Sequence, residues 1–244
     1  MLKAVLFDLD DTLLGNDIDQ FIPHYFGMLS AYASQYFEPQ AFIQLLMAGT
    51  NATITNTDTA VTNRDVFWQF FTSQTGQDAD EMEAFFNLFY SNQFDQLEAQ
   101  TQRLPVARPL VKTCFAKELK VVIATNPLFP RSAIEARLRW AGVPKDGYAY
   151  DLVTTYENMH AAKPNPDYYR EILDRIGVAP QAALMVGDSW VNDIEPASDV
   201  GLFTYWISLG RDLPDADRIN GSGSLDTLYK SIQSGWLEQL GVPA

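Results

Sequence analysis

Cysteine is almost missing from this 244-residue sequence: Cys114 stands alone. That excludes an intramolecular disulfide and any multi-cysteine zinc or iron–sulfur site. Histidine is nearly as scarce, and His24 and His160 leave little for histidine-based metal sites or proton relays. Basic residues are short too, 17 Lys and Arg against 31 Asp and Glu, for a net charge of -14. Such a surface repels phosphate backbones, so nucleic-acid polymers and anionic membranes are poor partners. No apolar run approaches the ~18 residues of a membrane span. Asp8 and Asp10 interrupt the apolar start before a signal-peptide core can form, so a reducing cytoplasmic setting is expected. What is present is ample apolar material, 47% of residues, enough for a core domain carrying a smaller second one.

Short apolar runs recur at Lys3–Phe7, Lys120–Ala124, Ala183–Val186 and Leu202–Ile207, with a weaker one near Tyr150–Thr154. They read as buried parallel strands. Helical stretches fall between them, at about Pro130–Ala141, Asp167–Ile176 and Asn192–Val200, several ending at glycine. The alternation predicts an α/β fold, a Rossmann-like, doubly wound parallel sheet with helices on both faces. Ligands of such sheets bind beyond the C-terminal strand ends, where the strand order reverses.

Residues 15–104 carry no strand-like run. They read as an inserted all-helical domain packing its own small core, with the α/β core built from residues 1–14 and 105–244. Within the insertion, 11 acidic residues face only Arg64 and Arg103, and lysine is absent. Its aromatics (Phe67, Trp68, Phe70, Phe71; Phe85, Phe86, Phe89, Tyr90) recur at helical spacing and read as helix core rather than a ligand box. Gly49–Asn63, rich in Thr and Asn, reads as a polar loop. Gly221–Ser224 reads as a flexible connection before a final helix over Leu225–Leu240.

Chemistry gathers at four strand ends. The first gives Asp8-Leu9-Asp10-Asp11-Thr12, whose alternate carboxylates can meet in one crevice. The second gives Thr125-Asn126-Pro127, a hydroxyl before a turn whose N–H groups can cradle an oxyanion. Lys163-Pro164 is presented just ahead of a helix. The last gives Gly187-Asp188-Ser189 with Asp193 five residues after Asp188. Two unit charges ~4 Å apart repel by about 4 kcal/mol at an effective dielectric near 20. Four aspartates in one crevice therefore need cations. A divalent ion and Lys163 balance three carboxylates if one Asp holds a proton, and oxygen ligands suit Mg²⁺.

The ordered set resembles the haloacid dehalogenase superfamily, in particular its phosphohydrolases with a helical C1-type cap. The resemblance covers nearly the whole chain, and the insertion falls where that cap falls. It implies Asp8 as nucleophile through an aspartyl-phosphate, and Asp10 as general acid and base with its carbonyl on the metal. It implies Asp188 as a side-chain metal ligand; Asp193 binds the metal directly, through water, or orients Lys163. Thr125 and the Asn126 N–H would hold phosphoryl oxygens, and Lys163 the charge of nucleophile and transferring group. The expected activity is Mg²⁺-dependent hydrolysis of a small phosphorylated metabolite. Arg64 is the cap candidate for a substrate anchor, against a solvated helix-start arginine paired with Asp65. A dehalogenase would need neither metal nor Asp10, and a phosphonatase would need a cap lysine. A phosphomutase and a non-catalytic regulatory protein on the same scaffold remain the alternatives. The sequence sets no oligomeric state.

Overall fold

The computed structural model describes residues 1–16, 18–208 and 210–240. In chain order, β1 (Ala4–Phe7) leads into a short strand β2 (Leu14–Gly15) and four helices: α1 (Ile18–Ala33), α2 (Pro39–Ile54), α3 (Asn63–Thr75) and α4 (Ala79–Asn92). A 3-10 segment, Phe94–Gln100, brings the chain back to β3 (Gln102–Arg103), which pairs antiparallel with β2. The remainder alternates: α5 (Ala107–Ala116), β4 (Lys120–Ile123), α6 (Arg131–Trp140), β5 (Leu152–Val153), α7 (Pro166–Ile176), β6 (Ala183–Gly187), α8 (Glu195–Val200), β7 (Phe203–Ile207), β8 (Gly221–Gly223), α9 (Leu225–Gln233) and α10 (Trp236–Gln239). No helix among the described residues is long and apolar enough to cross a membrane.

The six-stranded sheet has the order β5-β4-β1-β6-β7-β8, every neighbouring pair parallel. The central strands are wholly buried, which their uninterrupted apolar sequences require once helices cover both faces. Chain order runs outward from β1 in both directions, so the C-terminal ends of β4, β1 and β6 border the switch point.

Four expectations change. Gly221–Ser224 is a strand and a helix cap, not a flexible connection: Gly221–Gly223 forms β8 on β7, and Ser224 caps α9. A Cβ on Gly221 would sit 2.9 Å from the Tyr205 ring, so only glycine lets this edge strand close on its neighbour. The final helix is two, because Gly235 adopts φ +86°. Gly49–Ile54 belongs to α2 rather than to a loop, its polar Thr53 returning a hydrogen bond to the Gly49 carbonyl at 3.0 Å. The insertion does not pack a separate core. Phe21 and Phe94 both meet Trp140 of α6, in one apolar cluster that continues to Val5 and Phe7 of β1.

Candidate active site

Asp8 and Asp10 leave the end of β1 in a loop tightened by Asp11, whose φ of 54° is a conformation aspartate tolerates. Beside it, Thr125 and Asn126 follow β4. Across it, β6 ends at Gly187, and the chain turns through a single π-helical turn, Trp190–Ile194, capped by the Ser189 hydroxyl, which accepts the Asn192 N–H. That turn replaces the first part of the helix expected over Asn192–Val200 and carries Asp193 back under the strand end. Gly187 has to be glycine, since a Cβ there would collide with the Asp193 carboxylate. The fourth element is α7. Asn165 caps it, Pro166 opens it and Gly177 closes it in a left-handed conformation, which fixes Lys163 just ahead of the helix.

The predicted residues of the core converge. Lys163 Nζ donates to Asp8 Oδ1 at 2.7 Å and to Asp193 Oδ1 at 2.6 Å. Asp193 is 1% exposed, and its Oδ2 accepts the Ser189 N–H at 2.9 Å. Asp8, Asp188 and Asp193 each bring an oxygen within 4.8 Å of the others. The Asp10 side chain lies outside that trio, held elsewhere. Thr125 is buried beside Asp8 and Lys163 in the wall of a crevice of about 600 Å³, and Asn126 Oδ1 accepts the Lys163 N–H at 3.2 Å.

The electrostatics describe a site short of positive charge. Burial, then the charges of Asp193, Asp188 and Asp10, push the Asp8 carboxyl well above the usual carboxylate range despite Lys163. Burial alone would lower Lys163, but Asp193 and Asp8 outweigh it and keep the ammonium charged. Asp188 is raised to about 6 by burial and by Asp193 and Asp11, against the pull of Arg211. Three oxygen-only, mutually repelling carboxylates fit a hard divalent cation such as Mg²⁺.

Two cations escaped sequence reasoning. Arg137 of α6, 1% exposed, pairs through Nη1 with Asp10 Oδ2, while Asn16 Nδ2 donates to Asp10 Oδ1 at 2.9 Å. Its guanidinium lies 4.5 Å from the Phe129 ring centroid. The signal was present: position 137 falls on the apolar stripe of Ala133, Ile134, Trp140 and Ala141, where an arginine must meet a partner. Arg211 reaches the Asp188 carbonyl at 2.7 Å from a segment without any motif.

Arg64 is not brought to this crevice. Its Nε donates to Glu83 Oε1 at 2.8 Å, its Nη2 also pairs with Glu83, and Asp65 and Asp80 lie within ion-pair reach. Tyr156 OH donates to the same Glu83 oxygen. Burial would raise Glu83, but the bonds from Arg64 and Tyr156 outweigh it and hold the carboxyl below its usual value.

The chain belongs to the haloacid dehalogenase-like hydrolase family, whose model matches residues 2–201. Among curated relatives, the pyrophosphatase PpaX of Bacillus velezensis is 23% identical over 207 residues, covering 85% of this chain and 83% of that protein. A phosphoglycolate phosphatase of Shigella boydii is 28% identical over 158 residues, 65% of this chain and 58% of that one. Among solved structures, a HAD phosphatase from Thermococcus onnurineus superimposes with a TM-score of 0.58 at 22% identity, covering 95% of this chain and 98% of that one. A 2-haloacid dehalogenase from Pseudomonas syringae gives a TM-score of 0.60 at 24% identity, with 96% and 99% covered. The protein is thus a hydrolase of this family, and its shared fold alone does not choose between phosphate and halide chemistry.

Proposed function

We propose that the protein is a Mg²⁺-dependent phosphomonoester hydrolase working through a phosphorylated Asp8, with residues 15–104 as its cap. The observation that carries this reading is Lys163, buried and bonded at once to Asp8 and Asp193, within a crevice that Asp188, Thr125 and Asp10 also border. The names of the relatives, pyrophosphatase and phosphoglycolate phosphatase, support it.

Asp8, Asp188 and Asp193 would hold the metal, directly or through water, with the Asp10 carbonyl as a further ligand. Bound there, Mg²⁺ supplies positive charge against which an anionic phosphate can approach a carboxylate. Asp8 attacks phosphorus, and a P–O bond to Asp8 forms as the bond to the leaving oxygen breaks. Asp10 gives that oxygen a proton, and Arg137 and Asn16 hold the carboxylate so produced. Lys163 neutralises the nucleophile, and Thr125 with the Asn126 N–H binds phosphoryl oxygens. Water then attacks the phosphorus of the acyl phosphate. Asp10 takes its proton, and phosphate leaves as Asp8 is restored.

The test is phosphate release from a panel of phosphate monoesters, abolished by EDTA, restored by Mg²⁺ and lost in Asp8→Asn. Turnover by Asp8→Asn, or activity indifferent to EDTA, would overturn the reading. Isomerisation of a sugar phosphate without phosphate release would point to a mutase.

A further inference from the structure

Between the insertion and the segments that follow β4 and β5 lies a cavity that the insertion's sequence disguises as ordinary helix core. Tyr25, Phe67, Trp68, Phe71, Phe86 and Tyr156 line a space of about 170 Å³. Ile22, Leu128 and Phe129 border both this cavity and the catalytic crevice, so the two share a wall. Phe129 covers Arg137 from the same position. Aromatic packing surrounds the space without filling it: Trp68 meets Phe71 edge-on at 5.3 Å between centroids, and Phe71 meets Phe86 at 6.3 Å. An apolar cavity of about 150 Å³ is enough to take up benzene. An empty one forfeits packing contacts that a ligand would restore.

The polar groups at its edge are neutral or already paired. Tyr25 and Tyr90 share one hydrogen bond at 2.7 Å between their hydroxyls, leaving one of the two O–H groups to donate elsewhere. Glu83 already accepts three hydrogen bonds from Arg64 and Tyr156. A charged or heavily hydroxylated group entering here would lose its hydration and gain little in exchange.

We propose that this cavity receives the organic part of the substrate, and that the part is an uncharged aromatic ring with at most one or two acceptor atoms. The inference rests on the phosphomonoesterase reading and names its substrate class. The phosphate lies in the crevice beside Asp8 and Lys163, and the ring passes Ile22 and Phe129 into the cap.

The test compares 2-phenylethyl phosphate with n-propyl phosphate, two primary alkyl esters whose alcohols leave alike, so a difference reports the ring alone. A kcat/KM at least tenfold higher for the phenylethyl ester, mostly through KM, is expected, with the ratio falling toward one in Thr50→Trp and Asn87→Trp, which fill the cavity from its rim. Equal kcat/KM for the two esters, or a ratio unchanged in both folded variants, would overturn the proposal. Binding of 2-phenylethanol, followed by calorimetry in wild type and variants, separates the failures. Binding that the tryptophans abolish while no ester is hydrolysed keeps the aromatic site and sinks the phosphatase reading; no binding together with no ring preference sinks the aromatic site.

Discussion

Lys163 stands between two buried carboxylates, and its removal would leave both without the cation they share. Losing one member of a buried ion pair typically costs about 3–5 kcal/mol. Lys163→Met should therefore lower unfolding free energy by roughly that amount in EDTA at pH 7.5, read by urea denaturation, and abolish turnover. A variant as stable as wild type would mean that the charge of Lys163 does not hold the crevice together. Arg137 makes a different prediction. If it stabilises Asp10 after the proton has left, Arg137→Met should lower kcat by about 100-fold for alkyl phosphates, the lower end of general-acid contributions. A nitrophenyl ester, whose leaving oxygen hardly needs the proton, should lose far less, with KM little changed in both. An equal loss on the two esters would contradict that role. Lys163 was legible because it sits in a short motif next to proline. The apolar stripe of α6 marks Arg137 as inward-facing, but not its partner, because Asp10 lies far away in the sequence and meets it only through tertiary packing.

At the scale of elements, the π turn after β6 does what a plain helix start would not: it folds Asp193 back beneath Gly187. Gly187→Ala pushes a methyl against that carboxylate. The fold should survive, since β6 stays paired on both sides, while Mg²⁺ affinity falls by about 10–100-fold, the usual effect of disturbing groups that orient a metal site. Calorimetric titration with Mg²⁺ reads it, and unchanged affinity would refute the close approach. Strands and helices of the α/β part were legible through apolar runs and glycine stops. Strand β8 was not, because Gly-Ser-Gly has no strand propensity of its own and pairs only through close backbone approach to Tyr205. The aromatics of α3 and α4 were half read: they do pack helix on helix, yet the same rings wall a cavity, and spacing along a helix cannot tell a filled contact from an unfilled one.

Across the whole molecule, the site gathers repelling carboxylates whose repulsion a proton or an added cation relieves. Asp188, raised to about 6, binds more protons folded than unfolded between the ordinary carboxylate value and that pH. Metal-free stability should therefore fall as pH rises through this window, by on the order of 3 kcal/mol from this group. Mg²⁺ needs the ionised form, so its stabilising effect should be slight at pH 5 and large at pH 7.5, read as the Tm difference with and without the ion. An equal Tm gain at both values would contradict the assignment of Asp188 to the metal. The most direct measurement of all concerns Asp8. Acid quenching during turnover, borohydride reduction and peptide mass analysis should find Asp8 converted to homoserine, only when substrate and Mg²⁺ are both present and never in Asp8→Asn. Phosphate released at full rate with Asp8 unmodified, or with the reduced residue at another position, would contradict the account.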